Sequence, residues 1–263
     1  MVIGVSMYAL EFIRVSKAYD GKIAVKDFSM GIKSGETVAL LGPNGSGKTT
    51  LIRIAVGILR PTLGDVLVKG KSITMNPIDA KKVIGFVPDE PYVYDVLSGY
   101  ENLQFVADLW GIDIREKNEE ILRLAQAFEM ISVLDDAVST YSAGMRRKLS
   151  FMMALIHDPE ILIIDEITAG LDPKSLATVE LIIAGLKKRG VGILFSTHIL
   201  EVAEALADRI VIIHRGEKIW EGASKDIRAH GEANRRLKDI FFELTGGPDY
   251  DVVMKYLAMR GKK

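Results

Sequence analysis

The run Gly42-Pro43-Asn44-Gly45-Ser46-Gly47-Lys48-Thr49-Thr50 combines the residue types needed to grip a chain of phosphates. Its spacing is G-x-x-x-x-G-K-[ST], and it lies between a β-branched run, Thr37 to Leu41, and a helically spaced one that begins at Lys48. Glycines at 42, 45 and 47 let the backbone turn so that successive N–H groups face one anion, and a helix N-terminus behind them adds positive potential. Lys48 is expected to reach the β- and γ-phosphates, and the Thr49 hydroxyl to hold Mg²⁺. Average composition alone yields the pattern in on the order of one per cent of chains this long. A loop that merely joins strand to helix is therefore a weak alternative.

A second constellation lies downstream. Ile161 to Ile164 reads as a buried strand that ends in Asp165 and Glu166, and such strand ends are where ligands of α/β proteins sit. Asp165 is expected to orient Mg²⁺ or its water, while Glu166, pointing elsewhere, takes the proton from an attacking water or polarises it. Two acids often terminate a strand with no chemistry attached. The phosphate loop upstream, on its own strand end, favours the catalytic reading.

Elements that must position these residues follow from periodicity. Strands are expected near Ala9 to Lys17, Ile23 to Ile32, Thr37 to Leu41, Asp65 to Val68 and Val83 to Val87, with a helix over Lys48 to Ile58. Between about Ser98 and His157 the strand signal gives way to three helical stretches, Gly99 to Leu109, Arg115 to Met130 and Ala143 to His157. Strand and helix then alternate through Ile161–Ile164, Lys174–Lys188, Val191–Ser196, Ile199–Ala207 and Ile210–Ile213, as in a mostly parallel sheet covered by helices. The expected class is α/β: a phosphate-loop core of mixed sheet with flanking helices, an antiparallel β lobe and an inserted helical subdomain over about 90–158. Residues 7–222 form the main domain and 223–263 a helical extension with Ile240, Phe241, Phe242 and Leu244 as its buried stripe and a basic tail at Arg260 to Lys263.

Three further segments complete an ordered set: Tyr141-Ser142-Ala143-Gly144-Met145, Ala169-Gly170-Leu171-Asp172, and Ser196-Thr197-His198. With these the sequence resembles the ATP-binding cassette family from about Ala9 to Gly222. The resemblance implies that ATP is bound along 42–50 with Mg²⁺, that Tyr19 stacks on adenine, and that His198 contacts the γ-phosphate. It also implies that Ser142 and Gly144 contact ATP held by another subunit, and that Asp172 stands in a loop crossing that interface. Plainer readings stand beside these: Tyr19 as a half-buried strand tyrosine, Ser142 as a helix cap, and Asp172 as the N-cap before Pro173. His157, His214 and His230 have no such context.

Two departures from the family pattern stand out. Asp89, followed by Glu90 and Pro91, occupies the position where the family usually has glutamine; a carboxylate there can still reach Mg²⁺ or its water, at the cost of more negative charge beside Asp165 and Glu166. The signature has Tyr141, Ala143 and Met145 for leucine, glycine and glutamine. Such relaxed forms resemble the branch that powers exporters whose membrane subunits are separate chains. The implied assembly is a homodimer, or a dimer with a closely related ATP-binding subunit, attached to an integral membrane subunit on the inner face of the cell membrane. Tyr92, Tyr94, Leu97 and Tyr100 are either anchors for that partner or local packing.

Composition agrees. At 263 residues the chain can bury a substantial core. A net charge of −1, from 34 basic and 35 acidic residues, provides no broad field for nucleic acid. The absence of cysteine removes thiolate metal sites and fits a reducing, cytoplasmic setting. No run approaches the roughly 20 apolar residues of a membrane-spanning helix. Met1 to Leu10 lacks the basic start and cleavage site of a secretory signal, and Met7 is an alternative start. Alternative readings are a soluble cassette ATPase acting on nucleic acid or ribosomes, which usually carries two cassettes or a coiled-coil insertion, and a nucleotide-gated scaffold.

Overall fold

The first two strands fold back on each other through Asp20 and Gly21, whose φ angles of 45° and 81° are those of a tight hairpin turn. In the computed structural model, which describes residues 7–229 and 237–247, β1 (Leu10–Tyr19) pairs antiparallel with β2 (Lys22–Ile32), Leu10 opposite Ile32. β3 (Thr37–Leu41) is buried throughout and runs into the glycine-rich loop and α1 (Lys48–Ala55). Gly57, at φ 67°, lies two residues beyond it, so α1 is shorter than the expected helix to Ile58. β4 (Leu63–Val68), β5 (Lys71–Ser72), the short α2 (Pro77–Lys81) and β6 (Ile84–Val87) follow. β5 and α2 carry too few residues for a periodic signal.

Helices then take over. α3 (Gly99–Leu109) opens on a capping box in which Ser98 Oγ accepts from Glu101 N and Glu101 Oε2 accepts from Ser98 N. α4 (Ile114–Ala127) and two 3₁₀ turns, Ile131–Val133 and Val138–Thr140, lead to α5 (Ala143–Leu155). β7 (Ile161–Ile164), α6 (Pro173–Lys188), β8 (Gly192–Thr197), α7 (Leu200–Leu206), β9 (Arg209–His214) and β10 (Glu217–Ala223) complete the main body, and α8 (Ser224–Ala229) and α9 (Leu237–Thr245) follow.

Two sheets result: a four-stranded antiparallel one in the order β2-β1-β4-β5, and a six-stranded one in the order β10-β9-β3-β8-β7-β6. The second is parallel except for β10, which adds antiparallel to β9. This is the expected α/β class. Side chains of the central strands alternate between two cores: Leu162, Ile164, Ile193 and Phe195 face the helical lobe, whereas Ile161, Ile163 and Leu194 join Phe12, Phe28, Leu40 and Ile52. Because β3, β8 and β7 are parallel neighbours, their C-terminal ends open onto one edge of the sheet.

The extension departs from expectation. α9 buries Leu237, with Ile240 and Phe241 half-buried against the same core, while Leu244 is 38% exposed. Its inner stripe therefore begins a turn earlier than Ile240. His230 and the basic tail at Arg260–Lys263 lie outside the described residues, as do residues 1–6. Among the described residues no helix is long and apolar enough to cross a membrane.

Candidate active site

Where β3 ends, the chain must turn sharply before α1 can begin. Gly47 does this at φ 109°, a conformation closed to side chains here because a Cβ would come within 2.8 Å of Ala24 O. Gly45, at φ 76°, meets nothing within 4 Å on its open side. The loop is anchored behind by Gly216, whose N–H donates to Ser46 O at 2.9 Å. Lys48 is folded back inside: its Nζ donates to Gly42 O at 2.8 Å and Pro43 O at 3.1 Å. Burial pushes its pKa down, opposed by the charges of Glu166 and Asp165. The Ser46 hydroxyl is buried and without a protein partner.

Two strands away, β7 delivers the acids. Asp165 is buried and its Oδ1 accepts from Ser196 Oγ at 2.8 Å and from Thr49 Oγ1 at 3.3 Å. Burial pushes its pKa up, and the hydroxyls of Ser196 and Thr49 oppose the shift. Glu166 adopts φ 53°, a left-handed conformation unusual for glutamate. That reversal separates the two carboxylates. Glu166 Oε1 accepts from Thr168 Oγ1 at 3.1 Å and Thr197 Oγ1 at 3.3 Å, and Oε2 lies 3.0 Å from His198 Nδ1. Ser196 serves both acids, since its Oγ also accepts from Glu166 N at 2.7 Å.

A cavity of about 210 Å³ lies between these groups, lined among others by Gly45, Lys48, Thr49, Asp89, Asp165 and Glu166. The phosphate loop, both acids and Asp89 thus meet in one space, with Asn44, Gly47, Thr50 and Ser196 also at its wall. Among the described residues no three Asp, Glu, His or Cys side chains gather as a metal cage. One carboxylate and one hydroxyl, Asp165 and Thr49, instead fit a hard cation that shares phosphate oxygens.

Other expected residues stand apart from that cavity. Tyr19 is 45% exposed at the end of β1, with Lys17 Nζ 5.2 Å from its ring centroid. Ser142 caps α5, its Oγ accepting from Met145 N at 3.2 Å. A Cβ on Gly144 would stand 2.9 Å from Gly170 O, so the first turn of α5 rests on the loop after the acidic pair. Asp172 caps α6 through Ser175 N at 2.9 Å, and this bond pulls its pKa down. The aromatic loop divides: Tyr92 and Tyr94 are 66% and 51% exposed, whereas Tyr100 OH donates to Asn118 Oδ1 at 3.3 Å.

Arg147 is a residue that the sequence did not single out. It is fully buried on α5 and donates to the carbonyls of Pro88, Asp89, Asp165 and Glu166. Burial lowers its pKa to about 10, which leaves it charged at neutral pH. Its spacing to Phe151, four residues on and also buried, is the one signal that sets it on an inward stripe.

The family model described as ABC transporter matches residues 25–169. The chain is 40% identical over 234 residues to an uncharacterized ABC transporter ATP-binding protein, YhcH, of Bacillus subtilis, covering 89% of this chain and 74% of that one. It is 36% identical over 239 residues to the Nod factor export ATP-binding protein I of Sinorhizobium fredii, covering 91% and 68% of the two. A solved ATP-binding subunit of an ABC transporter superposes with a TM-score of 0.83 at 31% identity, covering 90% of this chain and 99% of that one.

Proposed function

We propose, from the premise that this chain belongs to the ABC transporter family as an ATP-binding, ATP-hydrolysing subunit, that two copies close head to tail on two ATP molecules. The observation that carries this is a separation. Lys48, Asp165 and Glu166 line one cavity, while Ser142 and Gly144, with the N–H donors of a helix start, are absent from its lining. A second copy supplies them.

In the proposed cycle Lys48 and the loop amides hold the β- and γ-phosphates, and Tyr19 stacks on adenine. Thr49 and Asp165 would hold Mg²⁺, with Asp89 as a further carboxylate on its side of the cavity, and the ion would neutralise charge on the phosphates. Glu166 accepts a proton from the water that attacks the γ-phosphorus, the bond to the bridging oxygen breaks, and ADP and phosphate leave. His198 orients Glu166 and contacts the γ-phosphate. Loss of that phosphate removes the contacts that favour the closed dimer, which is how hydrolysis shifts the equilibrium between closed and open forms.

The work is delivered to a separate integral membrane subunit through the exposed Tyr92 and Tyr94, placing the dimer on the inner face of the membrane. Export is the proposed direction, supported by the likeness to a Nod factor export protein. Light scattering of the Glu166→Gln protein tests the dimer: a dimer that forms only with MgATP is expected, and a monomer at saturating MgATP refutes it.

A further inference from the structure

Beyond Val87 and Ile164 the ladder between β6 and β7 stops, and the two strand ends must part to make room for the cavity. The last backbone link is Asp165 N to Val87 O at 2.8 Å. From there the guanidinium of Arg147 takes over. Its Nη1 donates to two successive carbonyls of one segment, Pro88 O and, at 3.2 Å, Asp89 O. Its Nη2 donates to two successive carbonyls of the other, Asp165 O at 2.9 Å and Glu166 O at 2.7 Å. These acceptors are main-chain oxygens, not carboxylates, so the contact fixes backbone.

We propose that Arg147 is a positioning residue for hydrolysis: it sets the gap between the Asp89 and Glu166 segments and makes that gap depend on where α5 stands. The inference rests on the hydrolytic reading above. A fully buried cation is a poor choice for stability, because desolvating the charge offsets much of what its hydrogen bonds return, and an apolar side chain of similar volume packs at less cost. What the guanidinium adds is shape. Its planar fork of donors can take two pairs of carbonyls at once, which an ammonium cannot. Phe151 supports the guanidinium itself, its ring centroid 5.4 Å from Arg147 Cζ.

The arrangement links two parts of the site. α5 begins at the Ser142 cap, so the helix that presents Ser142 and Gly144 to a second copy also carries, one turn later, the fork that holds Glu166. A shift of α5 therefore moves the proton acceptor with it. Arg146, next in sequence, ion-pairs with Asp95 on the loop that carries Tyr92 and Tyr94, so the same turn of helix is tied to the proposed partner surface.

The test compares Arg147→Lys and Arg147→Gln with wild type and Glu166→Gln, measuring MgATP affinity, steady-state turnover per binding-competent molecule, and amide exchange. Both Arg147 variants are expected to keep their affinity and lose turnover by on the order of 10²-fold. Exchange is expected to quicken at 89–90 and 166–167 and to stay slow in β3. An Arg147→Lys protein with wild-type turnover overturns the inference, as does a loss explained wholly by a smaller binding-competent fraction. Glu166→Gln reports on the hydrolytic reading by itself: if that protein turns over normally the reading falls, and unchanged exchange at 89–90 and 166–167 in the Arg147 variants then independently overturns the clamp.

Discussion

His198 Nδ1 lies 3.0 Å from Glu166 Oε2, while Thr168 and Thr197 hold the other oxygen of the same carboxylate. A carboxylate only accepts, so this contact is a hydrogen bond in the imidazole forms that carry a proton on Nδ1. The glutamate is thus held from two sides before any substrate arrives. Glu166→Gln keeps size and most of these contacts and removes the basicity. ATP binding is expected to persist while turnover falls by on the order of 10²- to 10⁴-fold. Phosphate release at saturating MgATP measures it, and near-normal turnover rejects Glu166 as the proton acceptor.

Lys48 is the cation most tightly built into the loop, bonded to Gly42 O and Pro43 O. Lys48→Ala removes that charge from a space otherwise bordered by Asp165 and Glu166. ATP affinity by calorimetry is expected to collapse. An unchanged dissociation constant refutes the phosphate-loop assignment.

Ser196 is fully buried and serves both acids, donating to Asp165 Oδ1 and accepting from Glu166 N. Ser196→Ala leaves a buried acceptor short of a donor and a backbone N–H without a partner. Stability is expected to fall by about 1–3 kcal/mol, read from the urea midpoint, and turnover to fall more than affinity. A variant as stable as wild type shows that Ser196 does not hold the acid pair.

His157 stacks on Trp110 with centroids 4.2 Å apart, and its Nε2 lies 3.0 Å from Ile84 O. Burial pushes its pKa below the ordinary value; Ile84 O and Asp158 oppose that shift and Lys117 adds to it. The unfolded chain therefore takes up the proton first as pH falls. The histidine's contribution to stability is complete above about pH 6.5 and declines below it toward the lower folded value. His157→Gln is expected to flatten the fall in Tm between about pH 7 and pH 5. An identical slope in the two proteins removes His157 from the acid response.

The phosphate loop and the acid pair were legible because their chemistry is consecutive in sequence and each stands at the end of an apolar run. Arg147 was not, because Arg146, Arg147 and Lys148 form a basic triplet that looks like a solvated helix face. Only the packing of α5 turns the middle one inward. β10 escaped for a related reason: as an edge strand whose Glu217, Lys218 and Glu221 face solvent or ion-pair, it lacks a buried alternation. The twofold service of Ser196 is a tertiary relation between β8 and β7. No local pattern encodes it.

The left-handed backbone at Glu166 has a consequence for variation. Asparagine and glycine adopt that conformation more readily than glutamate, by about 1 kcal/mol. Either replacement at 166 relaxes the main chain and removes the carboxylate that accepts the proton in the proposed cycle. Backbone preference at 166 therefore pulls against the carboxylate, and the contacts from Thr168, Thr197 and His198 offset the strain of keeping a glutamate there.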